Sequence, residues 1–179
     1  MKRLVSPAPR AAATLFMGFL VTVLGTTAFS WWSAGPLRLQ PLVVMVVSAG
    51  FRLPLVAGGL VAVGLGYLGD LASGGVSGLQ ITAYLLVLCV CALAERKLDI
   101  SSWPFQMLAA GAMSVLFHLV VIGGIMLVGR RPLDSPHLLW LLTAQALLTA
   151  LTAPVFFTVL EFMVVLFDLF WPKRGPAGE

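Results

Sequence analysis

The residues of this chain that could do chemistry concentrate in one short stretch, GYLGDLASGGVSGLQ, which covers residues 66–80. It holds one carboxylate, Asp70, and two serines, Ser73 and Ser77, in a chain otherwise rich in Leu, Val and Ala. A serine becomes a nucleophile when a base lies within hydrogen-bond reach. The stretch therefore raises two hypotheses: a catalytic serine, or a turn in which Asp70 accepts hydrogen bonds from backbone amides.

The catalytic hypothesis has a specific form, because residues 75–78 (GVSG) match the G-x-S-G of rhomboid intramembrane proteases. Those proteins have six spans and carry this serine at the start of the fourth, which corresponds to Ser77. The supporting groups are missing here: the last span supplies no histidine, His118 lies deep in the fifth apolar run, and the second run lacks polar oxyanion residues. A rhomboid-like protease therefore remains only a remote alternative.

A second set of triad-like residues, Asp134, Ser135 and His137, lies in one loop. Ser135 precedes a proline, a pair that is typical of a helix start rather than of catalysis. Cys89 and Cys91 are two residues apart, where a helix directs side chains away from each other, so we expect packing rather than a disulfide. Without a metal-ligand set or a phosphate-binding loop, we predict no catalytic activity and no cofactor.

The structural hypothesis for the opening stretch starts from a helix signal. Ser77 and Gln80 fit the S-x-x-Q capping box, which predicts that a helix starts at Ser77 and continues through Gly78. The N-terminus of that helix carries the positive end of its dipole, and Asp70 lies across a tight turn from it. We therefore predict that Asp70 stabilises the turn.

The preceding run carries what we call the small-residue stripe, formed by Gly58, Ala62 and Gly66 at every fourth position. Such residues let helix backbones approach closely in lipid. We expect the stripe to serve helix packing, with a substrate cavity as the less favoured reading.

The segments that must position these residues are strongly apolar. The chain has 179 residues, of which 60% are hydrophobic and 10% charged, and its mean hydropathy is +1.03. The net charge is +4, but the basic residues stand singly or in pairs between apolar runs, as topology signals do, which argues against nucleic acid as a partner. We predict an all-α integral membrane protein with a cytoplasmic segment 1–10, one polytopic membrane domain 11–171 and a disordered cytoplasmic tail 172–179.

Prolines, glycines and charges divide the chain into six apolar runs: 11–32, 41–51, 54–71, 78–94, 104–128 and 136–171. The first is long enough to span, so we interpret it as a retained helix, with a secretory signal as the alternative. The second is short, which leaves a tilted span or a re-entrant hairpin. The last is too long for one crossing, and Pro154 predicts a kink or a break.

The distribution of basic residues favours six transmembrane helices, the second one short. With six crossings, eight basic residues share one side: Lys2, Arg3, Arg10, Arg52, Arg96, Lys97, Lys173 and Arg174. Three lie on the other side: Arg38, Arg130 and Arg131. Without the second crossing the division is five against six. The positive-inside rule therefore predicts six spans with both termini in the cytoplasm.

The final run carries an acidic stripe formed by Thr158, Glu161, Val165 and Asp168, which share one face at three- and four-residue spacing. Two interpretations remain open. The carboxylates either lie near water at a helix end, or they face a partner.

From residue 37 to residue 93 the order of features resembles the MreD family, the bacterial rod shape-determining membrane proteins. Pro41 opens a short apolar run, and a proline-led third run follows it. That run ends in the family's Gly-x-x-x-Asp-Leu-x-Ser-Gly pattern, here Gly66, Asp70, Leu71, Ser73 and Gly74. Gly78 then opens a helix with Tyr84 near its start, and a late proline, Pro154, stands before a long final helix. The acidic stripe departs from the family pattern, in which we expect more basic residues.

The resemblance implies a non-enzymatic scaffold subunit of the elongation (rod) complex in the bacterial cytoplasmic (inner) membrane, involved in cell shape and lateral peptidoglycan synthesis. The implied partner is an MreC-like membrane protein, and through it the MreB filament, RodA and a class B penicillin-binding protein. The family is similar in fold to the substrate-binding S components of energy-coupling-factor vitamin transporters, which supply the main alternative. A transporter needs an outward pocket with converging polar groups. A scaffold needs apolar grooves and an exposed small-residue face, so the sequence favours the scaffold.

Overall fold

The computed structural model of the chain describes residues 7–27, 41–73, 78–95, 103–127 and 138–170. These residues form six α-helices and no β-strand, which confirms the all-helical prediction for this part of the chain. The helices are α1 (Pro7–Thr27), α2 (Pro41–Arg52), α3 (Leu55–Ser73), α4 (Leu79–Glu95), α5 (Trp103–Leu127) and α6 (Leu138–Phe170). Each helix lies on one of the six predicted apolar runs.

Consecutive helices run in opposite directions. On α3, Gly58 lies against Leu88 of α4, whereas Gly66 lies against Ile81, which is nearer the start of α4. This pairing makes α3 and α4 antiparallel. The remaining contacts repeat the alternation, so that the ends of the helices collect at two ends of one bundle.

We name the two ends of the bundle by their charged residues. At the Arg52 end, α1 begins, α2 passes into α3 through Leu53 and Pro54, and α6 brings Glu161 next to Arg52. At the Asp70 end, α3 passes into α4 and α5 terminates, with Gly124 lying against Leu79. Arg10 and Arg52 line one cleft at the Arg52 end.

The short helix α2 occupies the centre of the bundle. Residues 43–51 are buried without interruption, so every face of the helix is covered by protein. It contacts each of the other five helices. Twelve residues extend for about 18 Å, well short of the roughly 30 Å of a hydrocarbon core. In a bilayer, a helix enclosed in this way would be shielded from lipid by its neighbours.

The outer helices present an apolar surface. Large exposed hydrophobic side chains occur on α1, α3, α4, α5 and α6, and examples are Val56 (79% exposed), Leu127 (89%) and Leu147 (71%). Polar side chains such as Gln106 and Thr149 are instead buried between helices. Soluble monomers rarely expose apolar surface on this scale, whereas lipid tails cover it without cost.

Within the described ranges, three helices are long and apolar enough to cross a membrane: Leu55–Ser73, Pro104–Leu127 and Leu142–Leu166. Three further apolar helices are shorter, namely Arg10–Leu24, Pro41–Arg52 and Leu79–Glu95. By length and composition, this set is compatible with a membrane protein.

The last helix is continuous through its proline, so of the predicted kink or break at Pro154 the break is wrong, and Pro154 lies inside the final helix rather than before it. Pro154 is buried, and its carbonyl oxygen accepts a hydrogen bond from the Thr158 hydroxyl at 2.8 Å. A proline has no N–H to donate to the carbonyl four residues earlier, and neighbouring helices commonly compensate for that loss inside an apolar helix. The 33 residues of α6 extend for about 50 Å, beyond the thickness of a hydrocarbon core.

Candidate functional site

The Asp70 carboxylate joins the end of α3 to the start of α4. Its Oδ2 accepts a hydrogen bond from the backbone N–H of Gly78 at 2.7 Å, and its Oδ1 accepts one from the N–H of Gln80 at 3.1 Å. The first amides of a helix have no partner within the helix itself. Asp70 therefore caps α4 from the preceding helix, which is the turn-stabilising contact that the sequence predicted for it.

Gly78 occupies the N-cap position of α4. Its carbonyl oxygen accepts the first helical hydrogen bond, from the N–H of Thr82 at 3.0 Å, and its φ is +88°. That left-handed conformation favours glycine and lies outside the helix. The predicted helix start at Ser77 is therefore wrong, since α4 begins at Leu79 and Asp70 supplies the capping oxygens.

The remaining residues of the predicted turn divide into two groups. The Ser73 hydroxyl donates a hydrogen bond to the Asp70 backbone carbonyl at 3.2 Å and so closes the last turn of α3. Gly74 and Ser77 lie outside the described residues.

The small-residue stripe faces α4. Gly58, Ala62 and Gly66 are all buried, and a Cβ at Gly66 would lie 2.6 Å from the Ile81 Cα. The two backbones thus approach more closely than a side chain would allow. The stripe therefore packs against another helix of the same chain, which is the role that the sequence predicted for it.

Tyr84 links the Asp70 end to α5. It is 3% exposed, and its ring stacks on Phe117 with the centroids 4.9 Å apart. Gly69, one residue before Asp70, packs against the Tyr84 ring. The resemblance pointed to Tyr84, but sequence reasoning missed Phe117. The available signal was the polar residues Gln106 and Ser114 of α5, which are buried like Phe117.

The opposite end of the bundle is held by charged side chains. Arg52, the last residue of α2, forms an ion pair with Glu161 of α6, and its guanidinium lies over the Phe157 ring at 5.7 Å from the centroid. Sequence reasoning singled out Glu161 without finding its partner. The available signal was that opposite charges at the ends of apolar helices tend to pair. The Asp168 side chain lies outside the described residues.

Of the other candidate chemical groups, the structure describes His118. His118 Nδ1 lies 2.7 Å from the Ser114 backbone carbonyl, one turn earlier on α5. Asp134, Ser135 and His137 lie outside the described residues. Among the residues that are described, no group of three or more His, Cys, Asp or Glu side chains comes together. The lack of catalytic activity stays a prediction.

The two cysteines behave as the sequence predicted. Cys89 is exposed and Cys91 is buried, and both thiols are free. Cys91 packs against Gly50, where a Cβ would lie 2.6 Å from the Cys91 Cβ. Cys91 therefore contributes to the contact between α2 and α4, whereas Cys89 is exposed.

The features that carry the family resemblance fall at defined places in this fold. Pro41 is the first residue of α2, Gly66 and Asp70 lie on the last turns of α3, and Pro154 lies inside α6. Most of them therefore meet at one junction, the α3–α4 turn. Comparison of the chain with known family models, with curated proteins and with solved structures gives no match.

Proposed function

We propose that this chain is a non-enzymatic scaffold subunit of the bacterial rod complex, of the MreD type, which binds an MreC-like protein in the cytoplasmic membrane. The observation that carries the proposal is the Asp70 turn. The residues of the family-like pattern, Gly66, Asp70 and Ser73, have structural roles there: close packing, capping of α4 and closure of α3. A pattern maintained for architecture suits a scaffold better than an enzyme.

The proposal includes six membrane crossings with both termini in the cytoplasm. It is supported by the alternating helix directions and by the meeting of Arg10 and Arg52 at one end. α2 crosses as a short, enclosed helix that needs no lipid-facing length. Single cysteines at Gly75 and Arg131 label from outside intact cells in this topology, and one at Lys97 does not. Labelling at Lys97 would contradict it.

The surface offered to a partner consists of large apolar side chains rather than small ones. Leu60 on α3, Leu108 on α5 and Leu147 on α6 are each about two-thirds exposed or more, at 69%, 68% and 71%. Helices associate in lipid through shape-matched packing, without a net hydrophobic drive. The partner of a scaffold with this surface is therefore another apolar membrane helix.

The decisive experiment uses a photo-crosslinking amino acid at these three positions in turn, in a rod-shaped bacterium that encodes the chain. We expect an MreC-like protein to be captured from one position and not from the other two, which serve as matched controls of equal exposure. Depletion of the chain should also turn the rods round. Equal capture from all three positions would reflect diffusion in the bilayer and would contradict a specific scaffold.

The main alternative, an S component of a vitamin transporter, predicts a different outcome of the depletion. Vitamin uptake would fall while cell shape stayed normal. That result would overturn the scaffold proposal. The scaffold proposal would also be overturned if the purified protein cleaved a membrane-helix substrate and the Ser77→Ala variant did not. That result would favour a rhomboid-like protease.

A further inference from the structure

A small cleft opens between α1, α2 and α6 at the Arg52 end. It has a volume of about 60 Å³, and its polar lining comes from Arg10, Thr14, Ser48, Arg52 and Glu161. Apolar side chains such as Leu160 and Val164 complete its wall. We call this feature the basic cleft.

The basic cleft carries an excess of positive charge. Two arginines, Arg10 and Arg52, line it together with one acidic residue, Glu161, and the two arginine charges repel each other. Glu161 is committed to Arg52 by their ion pair. Because arginine stays protonated in proteins, one positive charge is left without a counter-charge among the lining residues.

Arg10 also has an unmet hydrogen-bonding need. Its Nε is buried and has no hydrogen-bond partner in the described part of the chain. The Thr14 hydroxyl beside it is directed to the Arg10 backbone carbonyl, at 2.8 Å. Ser48, which is 6% exposed, adds a further hydroxyl to the lining. A buried donor without an acceptor is costly, so an anion with several acceptor oxygens suits this place.

The position of the cleft along the bundle restricts the kind of anion. Glu161 lies about 35 Å along the α6 axis from Leu138, which is close to the thickness of a hydrocarbon core. In a bilayer the cleft would therefore lie near the level at which lipid phosphates begin. Basic pockets between membrane helices on the cytoplasmic side are places where anionic headgroups bind.

We propose that the basic cleft binds a phosphate group, with Arg10 as its main ligand and Arg52 and Ser48 as secondary ones. An anionic phospholipid headgroup and a free phosphate ion share this chemistry. Glu161 opposes the anion, so the affinity is set by the balance between two arginines and one carboxylate. The bound phosphate would join α1 to α2 and α6.

The test is native mass spectrometry of the full chain released from detergent, with phosphatidylglycerol, phosphatidylcholine or inorganic phosphate added. We expect phosphatidylglycerol to bind more tightly than phosphatidylcholine. Arg10→Gln should weaken that binding about tenfold, through loss of a charge-assisted contact, and Arg10→Lys should retain part of it. Binding of inorganic phosphate with the same dependence on Arg10 would assign the site to a free ion.

Glu161→Gln gives a prediction of opposite sign that does not depend on how well Arg10→Gln folds. Removal of the opposing carboxylate should tighten phosphate binding several-fold. Glu95→Gln is its matched control, since it removes an exposed carboxylate at the end of α4 and should leave binding unchanged. Equal phosphate binding by the original chain, Arg10→Gln and Glu161→Gln would overturn the proposal, as would the lack of any phosphate binding.

Discussion

The two ends of this helical bundle are held together by different means. At the Asp70 end, one carboxylate accepts two backbone N–H groups, and glycine lets α3 and α4 come into backbone contact. At the Arg52 end, long side chains from α1, α2 and α6 meet around an open cleft. One end is closed by short-range main-chain geometry and the other by flexible charged groups.

This difference teaches which end tolerates change. Main-chain contacts such as those at Gly66 leave no room for a larger side chain, because a backbone atom cannot move aside as a side chain can. The Arg52–Glu161 pair has ends that are 30% and 52% exposed, so solvent competes with it. We therefore expect large effects of substitution at the Asp70 end and small ones at the Arg52 end.

The largest effect is expected for Gly66→Ala. The added Cβ would meet the Ile81 backbone at 2.6 Å, which forces α3 away from α4. The free energy of unfolding in detergent should fall by about 1–3 kcal/mol. Gly59→Ala is the matched control on the same helix, because a Cβ there meets nothing within 4 Å. It should be neutral or stabilise the protein by up to about 1 kcal/mol through helix propensity.

The next effect is expected for Asp70→Asn. An asparagine oxygen can still accept one of the two amide hydrogen bonds, but its NH₂ group then faces the other donor. The free energy of unfolding should fall by about 1–2 kcal/mol. Glu95→Gln, at the exposed far end of α4, should change it by less than about 0.5 kcal/mol. Equal effects of the two substitutions would mean that Asp70 does not cap α4.

A smaller effect is expected for Gly78→Ala, which places a Cβ in a left-handed conformation at φ +88°. The cost should be about 1 kcal/mol, measured by the same unfolding assay. Gly78→Asn should cost less, since asparagine tolerates this conformation better than alanine. We therefore expect glycine to give the most stable protein at this position, asparagine the next and alanine the least. This order would indicate backbone strain rather than crowding, because a Cβ at Gly78 meets nothing within 4 Å.

The smallest effect is expected at the Arg52 end. A double-mutant cycle with Arg52→Gln and Glu161→Gln should give a coupling energy of about 0.2–1 kcal/mol, the range of partly exposed ion pairs. The coupling should decrease further at high salt, as screening weakens such pairs. A coupling energy larger than the loss of unfolding free energy caused by Asp70→Asn would contradict the proposed contrast between the two ends.

Much of the fold was predictable because apolar periodicity and breakers act locally. The six runs became six helices, and Asp70 took the capping role that its position next to a helix start indicated. The same local signals misled at Ser77, because the next residue, Gly78, has a left-handed conformation and directly precedes the first helical residue, Leu79. A serine and a glycine in tandem both satisfy helix-start rules, and only the hydrogen bonds distinguish them.

The contacts between distant segments could not be predicted in the same way. Phe117 stacks on Tyr84, and Arg52 meets Glu161, across 33 and 109 positions of sequence (117 − 84 and 161 − 52). In neither case does the sequence near one residue indicate which distant residue it will contact. The continuity of α6 through Pro154 also depends on neighbouring helices, which the sequence of α6 alone does not contain.

The enclosed helix α2 has a consequence for how the molecule responds to its bilayer. A helix with no lipid-facing side chain is indifferent to hydrophobic mismatch, which acts on the surfaces that touch lipid. When the thickness of the bilayer changes, the five outer helices would therefore tilt, whereas α2 would keep its position at the centre. Since α2 ends at Arg52, such tilting would be felt first where the outer helices converge on that residue, so the basic cleft would widen or narrow with the thickness of the membrane around it.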